Sequence, residues 1–266
     1  MSDAILLERI VLNVFPHHIL AAEMITRAAR KVGLDVRRSR NVPFGVRWED
    51  DLAYCLQGRP LGVAIDVGAH HGETARKLCE RFPDVHVHSF EPIPANFRRL
   101  EQSVVGLNVT CIPTALGEEH GTSTMGLGEN SLTSGFGVSG PGITVDVDTV
   151  DAYCRRCEPE SIGLLKIDVE GHEPAVLRGA AHMLEAGAIE FVLCECEFVH
   201  RPSEPHGAFQ AICSILLPLG FRVVSFYTGG VDGLGWRWGD VLMWLPPSAS
   251  IQAVVCSPYV ASSLLS

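Results

Sequence analysis

Four apolar runs in this chain stop on an acid. LGVAID ends at Asp66, VHVHSF meets Glu91, GLLKID ends at Asp168, and IEFVLCECE closes on Glu195 and Glu197. A strand buried on both faces reads as such a run. Between them lie stretches with apolar residues at helical spacing: ETARKLCERF over 73–82, PANFRRLEQSVVG, and PAVLRGAAHMLEAG. Strand and helix in alternation give βαβ units, a parallel sheet and right-handed crossovers. Open sheets of this kind bind ligands outside the carboxyl ends of their strands, where these acids stand.

The 266 residues suit one α/β domain with extensions. The spacing predicts helices over 5–33, divided at Pro16 and stopped at Gly33, and another over 49–57. The expected organisation is a helical extension or cap at 1–60, the α/β domain at 61–246 and a tail at 247–266. The Gly/Ser-rich stretch at 126–142 reads as a long loop, of the kind that serves as a lid. FRVVSFYT and VLMWL read as a late antiparallel hairpin, with GGVDGLGWRWGD as its loop.

A net charge of −10 argues against nucleic acid as a partner, since the basic cluster Arg37, Arg38 and Arg40 is short. No apolar run of about 18 residues is present, so no membrane span is expected. The start has no basic region or cleavage site, and a cytoplasmic location follows. Nine cysteines, several inside apolar runs, read as reduced buried thiols. Cys154 and Cys157 form a CxxC with no second pair for zinc.

Asp66-Val67-Gly68-Ala69-His70-His71-Gly72 sits where a strand turns into a helix. Gly68 permits the tight turn, and the helix from Glu73 offers free N–H groups to an anion. Glu91 stands at the end of the next strand, where an acid accepts the two hydroxyl hydrogens of a ribose. A dinucleotide site wants G-x-G-x-x-G; here the run is D-x-G-x-x-x-G. An acid at the strand end repels a pyrophosphate and suits the ammonium of a methionine group. The cofactor read from these residues is therefore S-adenosylmethionine (SAM) rather than a nicotinamide.

The second constellation is Lys166-Ile167-Asp168-Val169-Glu170-Gly171-His172-Glu173. Asp168 ends a strand on the ligand side, and Glu170 and Glu173 also suit the start of a helix. Histidine is the usual general base for a hydroxyl acceptor, which makes His172 the first candidate, with His70 second. Asp168 and Glu195, on neighbouring strand ends, offer an alternative: they are a pair suited to Mg²⁺, unless one of them pairs with Lys166 or Arg178.

DVGAHHG, SFEP, ALG at 115–117 and LLKIDVEGHEPAVLRGA together resemble the FkbM family of SAM-dependent methyltransferases, over 62–197. The resemblance implies a Rossmann-like class I methyltransferase sheet of about seven strands, mostly parallel, with an antiparallel strand near the C-terminus. It implies Asp66, Gly68 and Gly72 on the methionine side of SAM, Glu91 at the ribose, and Ala115 and Leu116 beside the adenine. Asp168 is implied near the sulfonium and the acceptor. Ala69, His70, Thr74 and Pro92 complete the donor set. The family usually reads D-V-G-A-N, and here His70 takes the place of Asn. The catalytic group read from the residues themselves, with Asp168 also implied by the resemblance, is His172, Asp168 and Glu195. The implied reaction is O-methylation of a hydroxyl on a sugar or other small secondary metabolite, as in natural product biosynthesis. N-methylation of a small amine, a nicotinamide oxidoreductase and a non-catalytic SAM-binding module are the alternatives.

Overall fold

The computed structural model describes residues 11–12, 37–38, 45–126, 135–136, 142–198, 209–232 and 235–247. Most of the helical stretch expected at 5–33, most of 126–142 and the tail from 248 lie outside the described residues. The chain forms two compact units, Met1–Val46 and Arg47–Ser266. In the first, β1 (Val11–Leu12) pairs in parallel with β2 (Arg37–Arg38). Spacing had assigned Val11–Leu12 to a helix. They are extended, and β-branched Ile10, Val11 and Val14 around them favour that.

The second unit begins with α1 (Trp48–Leu56), whose Leu52 and Leu56 bury completely. The Tyr227 hydroxyl donates to the Asp51 carboxylate at 2.7 Å and fastens this helix to the sheet. Then come β3 (Val63–Val67), α2 (Glu73–Arg81), β4 (His86–Phe90), α3 (Pro94–Ser103) and β5 (Val109–Ile112). A second, smaller sheet follows, made of β6 (Ala115–Leu116), β7 (Gly121–Gly126), β8 (Gly135–Phe136) and β9 (Gly142–Asp148). The chain returns through α4 (Val150–Cys157), β10 (Ile162–Ile167), α5 (Glu173–Arg178), α6 (Ala181–Glu185) and β11 (Ile189–Glu197). It ends in α7 (Phe209–Leu216), β12 (Arg222–Asp232) and β13 (Gly235–Trp244).

The main sheet has seven strands in the order β12-β13-β11-β10-β3-β4-β5. β13 runs antiparallel to both its neighbours, and every other pairing is parallel. This is the class I methyltransferase arrangement. The chain winds outward from β3 to β5 and then crosses back to β10. The switch point therefore falls between β3 and β10, where a ligand crevice opens at the strand ends. All six residues of β10 are buried, as a strand covered on both faces requires. Ile65, Val67, Phe90, Leu165, Ile167 and Val192 share the larger core with α5 and α7; Leu52, Leu78, Leu164 and Phe191 share the other with α1 and α2. Each such side chain contributes about 1.5–3 kcal/mol by leaving water.

Three local expectations change. The helix read through 174–187 breaks into α5 and α6 at Gly179–Ala180. The hairpin loop read at 229–240 is largely strand, because β12 and β13 run on to Asp232 and Gly235. The strands β6, β7 and β8 were not anticipated, and β8 falls within the stretch read as a long loop. No helix among the described residues is long and apolar enough to cross a membrane. All described cysteines are free thiols, including Cys154 and Cys157 within α4.

Candidate active site

The β3–α2 loop is pinned to the end of β4 by its own backbone. Gly68 and Ala69 donate their N–H groups to the Phe90 carbonyl at 3.0 and 2.9 Å. His70 adopts a left-handed conformation, φ 50°. Asn and His are among the side chains that tolerate this region best, which accounts for both the family's Asn and the His here. The turn carries the His70 N–H onto Glu91 Oε2 at 2.9 Å. Ile93 N–H donates to the other oxygen, Oε1, at 2.9 Å. Glu91 is thus buried and aimed by two amides from either side of it.

Burial pushes the Glu91 carboxyl up to about 7, against the hydrogen bonds from Ile93, His70 and Asn96, with Asp66 adding to the rise. Ligand hydroxyls donating to it would favour the charged form and lower this pKa, as expected if Glu91 holds the ribose of SAM. Below pH about 7 the unliganded protein must first release a proton, and above it none. SAM affinity is therefore expected to be level above pH 7 and to fall on acidification, by up to about tenfold per unit. Calorimetry between pH 5.5 and 8.5 checks this; affinity that is flat, or that rises toward acid, contradicts the assignment.

Across the switch point, Asp66 and Lys166 are register partners on β3 and β10. Asp66 is wholly buried and receives no directed hydrogen bond; its counter-charge is Lys166 Nζ, 3.3 Å from Oδ1. The same ammonium lies 3.3 Å from Asp168 Oδ2. Asp168 is partly exposed, and its N–H donates to the Val67 carbonyl at 3.1 Å, tying the two strand ends together. Burial opposes the charge on Lys166, but Asp66, Asp168 and Asp240 outweigh it and hold the pKa above the usual lysine range.

Beyond Asp168 the chain turns sharply, with Glu170 at φ 52° and Gly171 at φ 99°. Glu173 Oε1 accepts from the Val169 and Gly171 amides at 3.1 and 3.0 Å. Glu173 therefore holds the turn. His172 stands at the N-cap of α5, half-buried. Carboxylate oxygens of Asp168, Glu170 and Glu195 lie within 4.8 Å of one another. Glu195 faces Asp240 across the β11–β13 ladder. Burial, then Asp168 and Glu170, drive the Glu195 carboxyl well up, and burial with Asp168 lifts Asp240 to about 6. His70, His71 and Glu73 form a second group, but the two rings stack at 3.6 Å and 24°, so their in-plane lone pairs do not converge on one ion.

The residues expected at the donor thus fall into two sets. Asp66, Gly68, Ala69, His70 and Glu91 meet around one loop, with Pro92 following it and Thr74 in the first turn of α2. Gly72 caps α2 and faces α3, where an added Cβ would meet Ser103 Oγ at 2.6 Å. Ala115 and Leu116 are buried in β6, with Leu116 in the core beside Phe90. Asp168 and Glu195, on neighbouring strand ends, bring their carboxylates within 4.8 Å of one another. Asp240 had not been foreseen, since only the strand register brings it opposite Glu195.

Residues 66–223 match the FkbM methyltransferase domain. The chain belongs to the FkbM family. The 31-O-demethyl-FK506 methyltransferase FkbM of Streptomyces tacrolimicus is 29% identical over 209 residues, which cover 65% of this chain and 78% of that protein. The 2-O-methyltransferase NoeI of Sinorhizobium fredii is 24% identical over 199 residues, 67% of this chain and 79% of NoeI. The hexuronic acid methyltransferase AglP of Haloferax volcanii is 28% identical over 165 residues; these cover 60% of this chain and 66% of AglP, just under two thirds of its length. FkbM proteins are SAM-dependent methyltransferases, and the nicotinamide reading falls away.

Proposed function

We propose that this chain transfers a methyl group from SAM to a hydroxyl of a sugar or other small metabolite. The observation that carries the reading is Glu91: a buried carboxylate, fixed by two amides, beside a glycine loop at the switch point. These residues fit the donor. Glu91 would hold the ribose hydroxyls, and the loop from Gly68 to His70 would pass along the methionine side. SAM supplies an activated methyl group when bound. The oxygen acceptor is favoured by the FkbM relatives, whose names specify 2-O and 31-O positions.

The acceptor hydroxyl must lose its proton, and alignment of the acceptor is the enzyme's main task. His172 and the carboxyl of Glu195 are the candidate bases. Burial and its acidic neighbours raise the Glu195 pKa to about 9, so at neutral pH it acts as a base only through its ionised fraction, and His172 is the readier of the two. A second reading is favoured by one observation: the carboxylates of Asp168, Glu170 and Glu195 are close enough to share Mg²⁺. The ammonium of Lys166 on Asp168 already supplies part of that positive charge.

The test is transfer of labelled methyl from SAM to neutral sugars, an amino sugar, a uronate and a hydroxylated macrolide, with and without EDTA. Transfer to a hydroxyl that EDTA leaves unchanged supports the base. Transfer lost in EDTA and restored by Mg²⁺ supports the metal. The acids at the acceptor side disfavour an anion, so the uronate is expected to be the poorest sugar substrate. No SAM binding at all would sink the proposal.

A further inference from the structure

Lys166 is a charged residue inside a strand whose six positions are all buried. A lysine is rarely found in such a place unless it is paired. One acid would be enough to neutralise it, yet Lys166 serves three partners from three elements. Asp66 at the end of β3 and Asp168 beyond β10 each lie 3.3 Å from Nζ, and the Gly68 carbonyl of the β3–α2 loop lies 3.4 Å away. The partners differ in access. Asp66 is wholly buried, whereas Asp168 is partly exposed at the crevice. The carboxylates of Asp240 on β13 and Glu73 on α2 also bear on this group of charges.

We propose that Lys166 is a positioning residue for the methyl donor. Anchored by Asp66, it aims the Asp168 carboxylate and fixes the Gly68 carbonyl where the methionine end of SAM binds. The proposal rests on the donor reading given above. Asp66 then acts through Lys166 and needs no contact of its own. The adenosine end, held by Glu91, meets this device only through the field of Asp66 on Glu91 and makes no contact with Lys166.

The test compares SAM with 5′-methylthioadenosine, which keeps the adenosine and the sulfur but lacks the amino-acid end. Both are titrated by calorimetry into the full chain and into its Lys166→Met and Lys166→Arg variants, with thermal unfolding alongside. Lys166→Met is expected to weaken SAM by about tenfold or more, the loss typical of a charge-assisted contact, and to leave methylthioadenosine unchanged. Lys166→Arg keeps the charge, but a planar guanidinium cannot serve the same three partners from one point. It is expected to weaken SAM by a smaller factor, again sparing methylthioadenosine. A merely structural lysine would weaken both ligands together or neither, and either result overturns the proposal. If Lys166→Met does not fold, the Arg variant decides alone, and unchanged SAM binding in it overturns the proposal. A wild-type chain that binds neither ligand defeats the donor reading, and the proposal with it.

Discussion

Replacing Glu91 with alanine is expected to weaken SAM binding by about a hundredfold or more while the chain remains folded. The size follows from what is lost. Two hydroxyl hydrogen bonds to a carboxylate are worth about 1.5–3 kcal/mol each, and every 1.4 kcal/mol is about tenfold in affinity. The change also strips the His70 and Ile93 amides of their acceptor, so the loop that faces the donor loses its anchor. Glu91→Gln keeps the shape but turns an NH₂ group toward one of those two amide donors, and an intermediate loss is expected. Calorimetry on both variants measures the effect, and thermal unfolding confirms that they are folded. A SAM analogue lacking the 2′ hydroxyl separates the contributions: it should lose less than SAM does on going to the Ala variant. Equal losses for the two ligands would mean that Glu91 shapes the loop without touching the ribose.

The residues that make this site were legible in the sequence because strand ends write themselves plainly. Asp66, Glu91, Asp168 and Glu195 each stand at the end of an apolar run, and polar side chains of a parallel strand buried on both faces gather at its ends. Three features were hidden for physical reasons. β7 is GTSTMG, mostly small and half exposed, so no alternation marks it as a strand. The glycines at 229–230 look like a loop, yet they lie within β12, at a break in its register with β13, and leave room for the Trp238 ring, which a Cβ at Gly229 would meet at 1.8 Å. Asp240 stands in a Gly-rich segment and becomes an acceptor-side acid only through its register with Glu195. Lys166 was visible, but only as one of two cations, with Arg178, that could pair with Asp168 or Glu195; its reach to Asp66 and Gly68 depends on two strand ends lying side by side.

Gly68→Ala is expected to be the most damaging single-methyl change in the loop. Gly68 has φ 77°, and a Cβ there would lie 1.9 Å from the Asp168 carbonyl oxygen. That atom belongs to the backbone, so no rotamer change can relieve the contact. The β3 and β10 ends would have to part. The left-handed conformation costs an alanine about 1–2 kcal/mol, and forced overpacking costs about 1–3 kcal/mol more. At about 2–4 °C per kcal/mol for a chain of this size, the melting temperature should fall by roughly 5–20 °C. The loss of function should exceed the loss of stability, because the parting strands carry the Asp168 N–H to Val67 bond and the Lys166 contact to Gly68 with them. Gly62→Ala is the control: it also has positive φ, at 72°, but nothing lies within 4 Å of its Cβ. It bears the backbone cost alone and should bind SAM normally. If the two variants melt together and bind SAM alike, the close approach of the two strand ends is not what Gly68 is there to permit.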